Sequence, residues 1–155
     1  MHDWTRWLIL SLAVIVLDQI SKWQIVKVLS DGRDVLIAPF FNLVLWYNEG
    51  AAFSFLNDAG GWQKFFFIFI ALAASVLMLH LLKKHRGEIL FSTALAFILG
   101  GALGNLLDRI TIGHVVDFLD FHVAGHHFPA FNLADSAITL GAALLILDNF
   151  RKGKS

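Results

Sequence analysis

The chain has 155 residues, 57% of them hydrophobic and only 15% charged, with 12 Lys+Arg against 12 Asp+Glu and no cysteine. Soluble proteins carry about 25% charged residues, so an ordinary soluble domain is excluded, and the balanced charge points to no nucleic-acid partner. Without cysteine there can be no disulfide, iron–sulfur cluster, thiolate zinc site or cysteine nucleophile.

In chain order, the first element is an apolar run from about Trp7 to Val26. It has no small-residue cleavage site and Asp18 interrupts it, so it reads as a retained span rather than a cleaved leader. Asp18 and Lys22 stand four apart on one helix face. Ionisable groups inside a span are costly and face the bundle interior. An internal ion pair tying helices together is the plainer reading, a direct chemical role the sharper one. The outer segment that follows, about 27–61, contains APFFNLVLWYNEGAAFSFL, rich in β-branched and aromatic residues and broken by the turn signal NEG. A small β element is expected there, with part of its apolar face on the membrane surface.

Three further runs complete a bundle of spans: about 62–82, 89–107 and 132–150. Each is about 20 residues, enough to cross a hydrocarbon core of about 30 Å. Arg6, Lys83, Lys84, Arg86, Arg151, Lys152 and Lys154 all fall on one side of a four-span arrangement, together with both termini; that side is expected to be cytoplasmic. GGALGNLLDR closes the third span. Its glycines allow close helix approach, and Asn105, Asp108 and Arg109 share a face; a surface Asp108–Arg109 charge pair is the plain alternative. The segment from about 108 to 131 reads as short and irregular, with Asp117 and Asp120 pointing to opposite faces, one to a site and one to solvent. FNLADSA opens the fourth span, with Asn132 as N-cap and Asp135 in the first turn, where the helix dipole favours its charge.

The stretch GHVVDFLDFHVAGHHF (113–128) packs His114, His122, His126 and His127 around these aspartates. It invites a metal reading, but the ligand spacing is poor and HExxH is absent, so no metal site is expected. Instead, polar groups from three spans and two outer segments collect at one depth, the outer interface. A transporter or proton relay would need polar groups along the whole depth of the bundle. A purely structural protein, whose acids only anchor helices, is the other rival.

LDQISK, YNEGAAFSFL, GGALGNLLDR, GHVVDF and FNLADSA, in this order, resemble the lipoprotein signal peptidases (signal peptidase II), bacterial intramembrane aspartyl proteases. The resemblance covers nearly the whole chain. It implies a single integral-membrane domain in the bacterial inner membrane: an all-α four-helix transmembrane bundle with a small periplasmic β-cradle and an outer loop over the active site. It implies Asp117 and Asp135 as the catalytic pair, without cofactor or metal. By the same resemblance Asp18, Asn48, Gly50, Asn105, Arg109 and Asn132 would support the site or bind substrate; Lys22 and Asp108, on the same helix faces, are further candidates for that role. The implied partners are a diacylglyceryl-modified prolipoprotein, cleaved before its lipidated cysteine, membrane lipid and globomycin-type inhibitors, with the enzyme acting as a monomer.

Overall fold

The computed structural model describes residues 4–50, 62–85 and 87–153. Helices α1 (Thr5–Leu29), α2 (Trp62–Lys84), α3 (Ile89–Thr111) and α4 (Leu133–Lys152) are each long and apolar enough to cross a membrane. They lie where the apolar runs placed them. Several ends reach further than hydropathy alone marks, because polar residues such as Asp108 and Arg109 continue α3.

Helix α3 is the hub, packing against all three other helices. Glycine makes this possible. A Cβ at Gly100 would sit 2.8 Å from the Ser11 carbonyl oxygen of α1, one at Gly101 2.3 Å from the Ala134 carbonyl oxygen of α4, and one at Gly104 2.7 Å from the Asp18 carboxylate. Gly141 of α4 returns the contact, 2.7 Å from the Ala94 carbonyl oxygen. In lipid, where apolar surface is not driven together by water, such close approach supplies the packing energy. Next to these glycine contacts, Leu82, Leu95 and Leu99 form a buried core packed by Trp7, Phe91 and Leu145.

Among the described residues four antiparallel strands, in the order β1-β2-β3-β4, sit at the end of the bundle where α1 and α3 finish and α4 starts: β1 (Val35–Ala38), β2 (Phe41–Asn48), β3 (Val115–Val123) and β4 (His126–His127). The β element expected in the first outer segment is present as β1 and β2. The second outer segment corrects the sequence reading: it is not short and irregular but supplies a nine-residue strand. Pairing with β2 satisfies its backbone groups, in the register Trp46↔Asp117, Tyr47↔Val116 and Asn48↔Val115. Residues 51–61, with the second half of the YNEGAAFSFL motif, lie outside the described residues, and so does any loop they form over the site.

Candidate active site

Asp18, Lys22 and Asp108 are the base of the site. All three are buried. The Lys22 ammonium has three N–H groups and three acceptors: Asp18 Oδ2 at 2.8 Å, Asp108 Oδ2 at 2.8 Å and Asn105 Oδ1 at 3.0 Å. The expected Asp18–Lys22 pair is therefore part of a larger knot joining α1 to α3. Asp108 does not pair with Arg109 at the surface, since a buried carboxylate needs a buried cation and Lys22 is the one within reach.

Each carboxylate of this knot also holds a backbone group of the next element. Asp18 Oδ1 accepts from the Ala134 N–H at 2.9 Å, one of the donors that the start of α4 leaves unpaired. Asp108 Oδ2 accepts from the Val116 N–H at 3.2 Å, at the start of β3. Asp18 thus fixes the helix that carries Asp135, and Asp108 fixes the strand that carries Asp117. Gln19, which the sequence reading passed over, donates to Asp108 Oδ1 at 2.8 Å, the Gly104 carbonyl at 3.2 Å and Asp18 Oδ2 at 3.3 Å. Its only sequence signal is an amide inside an apolar span.

Two asparagines connect this base to the aspartate pair. Asn132 Nδ2 donates to Asp117 Oδ1 at 2.8 Å and to Asn105 Oδ1 at 3.2 Å. Asn105 Nδ2 donates to Asp135 Oδ1 at 2.8 Å. Asn132 and Asp135 also form a reciprocal capping box: Asn132 Oδ1 accepts from the Asp135 N–H at 2.9 Å, and Asp135 Oδ2 accepts from the Asn132 N–H at 3.3 Å. Helix capping and site building are therefore one arrangement. Asn48 Nδ2, at the end of β2, donates to Asp117 Oδ2 at 2.9 Å, while Asn48 Oδ1 accepts from the Gly50 N–H at 2.8 Å. Gly50 has φ +111°, and a Cβ there would meet the Phe67 ring at 2.4 Å. Phe67 in turn lies under the Arg109 guanidinium, 4.9 Å from ring centroid to Cζ. The FFFIFI run of α2 thus contributes Phe67 to the wall of the site.

Burial pushes the Asp117 carboxyl up to about 6; hydrogen bonds from Asn48 and Asn132 oppose this, and the Asp135 charge adds to it. All ten residues expected at the site are brought together. Asp120 is different. It was expected to face solvent if Asp117 faced the site, yet it is only 1% exposed. Asn42 Nδ2 donates to it at 3.1 Å, and the His127 ring nitrogen Nδ1 lies 2.8 Å away. Burial raises this carboxyl, but those two hydrogen bonds outweigh it and hold it below the usual range. His122 stacks on His127 and His114 meets Tyr47 edge-on. Among the described residues no three His, Asp or Glu side chains gather as metal ligands.

The family model described as signal peptidase (SPase) II matches residues 10–151. The lipoprotein signal peptidase of Paraburkholderia phymatum (strain DSM 17167 / CIP 108236 / LMG 21445 / STM815) is 58% identical over 146 residues, covering 94% of this chain and 88% of that one. That of Ralstonia nicotianae (strain ATCC BAA-1114 / GMI1000) is 56% identical over 151 residues, 97% and 87% of the two chains. Two solved bacterial membrane enzymes, determined by the in meso method, superpose with TM-scores of 0.84 and 0.81. They are 29% and 30% identical and cover 96% and 93% of this chain, and 90% and 92% of their own.

Proposed function

The chain belongs to the signal peptidase II family, the aspartic peptidases that remove signal peptides from lipoproteins, and from that premise we propose that Asp117 and Asp135 are its catalytic pair. One observation carries the assignment. Strand β3 and helix α4 each deliver one carboxylate to the same pair of amides, Asn105 and Asn132, and the Asp135 charge is felt at Asp117. Two carboxylates so coupled do not both ionise cheaply, and they share a proton.

The ionised member takes a proton from water as that water attacks the scissile carbonyl. The protonated member gives its proton to the carbonyl oxygen. When the tetrahedral intermediate collapses, the departing amine receives the proton taken from the water, and the pair returns to its shared state. Asn48, Asn105 and Asn132 hold the carboxylates in place, and the Asp18–Lys22–Asp108 knot holds the elements that carry them. Arg109, cationic and set against Phe67, offers donors to substrate carbonyl oxygens.

The substrate is a prolipoprotein whose cysteine carries a diacylglyceryl group, cut on the amino side of that cysteine. The apolar surface of the four helices supports lateral entry from the bilayer. The basic ends of the bundle support a cytoplasmic face at the end away from the sheet, both termini there, and the site at the periplasmic face of the inner membrane. The enzyme acts as a monomer, and globomycin-type inhibitors compete for the same site.

The test uses the full chain reconstituted in lipid, with a synthetic diacylglyceryl-prolipoprotein peptide. Asp117→Asn and Asp135→Asn are expected to abolish cleavage, a loss of at least about a thousandfold, while helix content and melting remain those of a folded protein. Full activity in either variant overturns the pair. A transporter would need ionisable groups through the depth of the bundle; the buried carboxylates and lysine named above gather instead at the sheet end.

A further inference from the structure

Strand β2 presents a second group to the catalytic side of the sheet. Trp46 is the direct cross-strand partner of Asp117. Directly opposed residues of an antiparallel pair project to the same face. Trp46 also stands two residues from Asn48, whose side chain reaches Asp117 Oδ2 at 2.9 Å, and alternate strand residues share a face. Both arguments put the indole on the face that carries the Asp117 carboxylate. Its neighbour Tyr47 belongs to the other face, where it meets His114.

Asp117 is 3% exposed, whereas Trp46 is 50% exposed, a large apolar ring left open beside a buried acid. The other groups named around the pair are amides and a guanidinium, and Phe67 is already covered by Arg109 and Gly50. A substrate presented to the pair therefore meets amides on one side and an aromatic wall on the other. The lipid-bearing cysteine is the apolar part of the substrate closest to the scissile bond, and its thioether sulfur is well suited to an aromatic face. Resting on the catalytic pair and lipidated substrate proposed above, we propose that Trp46 is a specificity-determining residue whose indole packs against the lipid-modified cysteine as the scissile carbonyl is set against Asp117 and Asp135.

Kinetics of the reconstituted full chain on the diacylglyceryl peptide provide the test. An apolar pocket contact next to the reaction is worth roughly 10- to 200-fold in discrimination. Trp46→Ala is expected to raise KM about tenfold with kcat within about twofold of wild type, and Trp46→Phe to recover most of the difference. The penalty should be the same whether glycine, alanine or serine precedes the cysteine, because the indole faces the other side of the bond. An unchanged KM in Trp46→Ala overturns the assignment, as does a penalty that follows the preceding residue. A fall in kcat at constant KM overturns it too, since the indole would then be positioning Asp117. The two readings fail separately. Inactive Asp117→Asn with a kinetically normal Trp46→Ala leaves the pair and removes the wall. Active Asp117→Asn removes the pair, while the KM comparison still decides the wall.

Discussion

At Asp117 burial and a neighbouring charge act on the carboxyl in the same direction. Its carboxyl is pushed up to about 6, first by burial, with the Asp135 charge adding to the rise. Because the folded value lies above the ordinary 3.8, protonation favours the folded site, and that contribution is lost as pH rises through about 6. The same sign governs catalysis. The proposed pair works with one proton, so loss of the Asp117 proton above about 6 would leave it without its acid in the free enzyme. The pH profile of kcat/KM is expected to fall on the alkaline side of about 6, and that of kcat to fall at higher pH, because bound substrate excludes water and raises Asp117 further. In Asp135→Asn, where the neighbouring charge is gone, the Asp117 carboxyl band followed by infrared titration should move to lower pH. A band that stays in place would show that the two carboxylates are not coupled. At this scale the sequence singled out Asp18, Lys22, Asn48, Asn105, Asn132, Asp117 and Asp135, and the structure brings these side chains into one hydrogen-bonded cluster. The sequence did not show that Asp108 turns inward to Lys22, because adjacency to Arg109 in sequence says nothing about which cation lies within reach in three dimensions.

Among the elements, the helices were the readable part and β3 was not. Each helix is an unbroken apolar run, and length alone identifies it. Strand β3 is buried along most of its length, so it lacks the polar alternation of a half-exposed strand, and aspartates interrupt its hydrophobic residues. Its partner β2 lies before two whole helices in the chain, and such a long-range register is invisible to local pattern. The packing of α3 on α4 provides a test. A methyl group at Gly101 would lie 2.3 Å from the backbone oxygen of Ala134, which adjoins Asp135 and cannot move without moving it, whereas nothing lies within 4 Å of a Cβ at Gly87. Gly101→Ala is expected to lower the melting temperature in detergent and to reduce cleavage at least about tenfold; overpacking of this kind typically costs 1–3 kcal/mol. Gly87→Ala should leave both measurements near wild type. Equal behaviour of the two variants would mean that the helix contact does not set the site.

For the molecule as a whole, a cysteine-free chain is well suited to mapping orientation, because a single introduced thiol has no background. The basic residues at one end and the sheet at the other give opposite expectations for two positions. Asp34→Cys, just before β1, should react with a membrane-impermeant maleimide in intact spheroplasts. Lys84→Cys, at the end of α2, should react only after the membrane is opened. The reverse pattern would invert the bundle and put the site on the cytoplasmic face.

By itself the sequence determined the class of the protein, its four spans and the residue types of its site, because apolar length and a set of ordered motifs are local properties. The tertiary structure decided how those residues act together. It made Lys22 the cation of two carboxylates, turned the Asn132 cap into a bridge between Asp117 and Asn105, and gave Asp18 a backbone donor at the start of α4. It also buried Asp120 and set Trp46 across from Asp117. These are contacts between residues up to 116 positions apart, and buried charges and backbone donors find their partners by proximity in the folded chain, which no local pattern encodes.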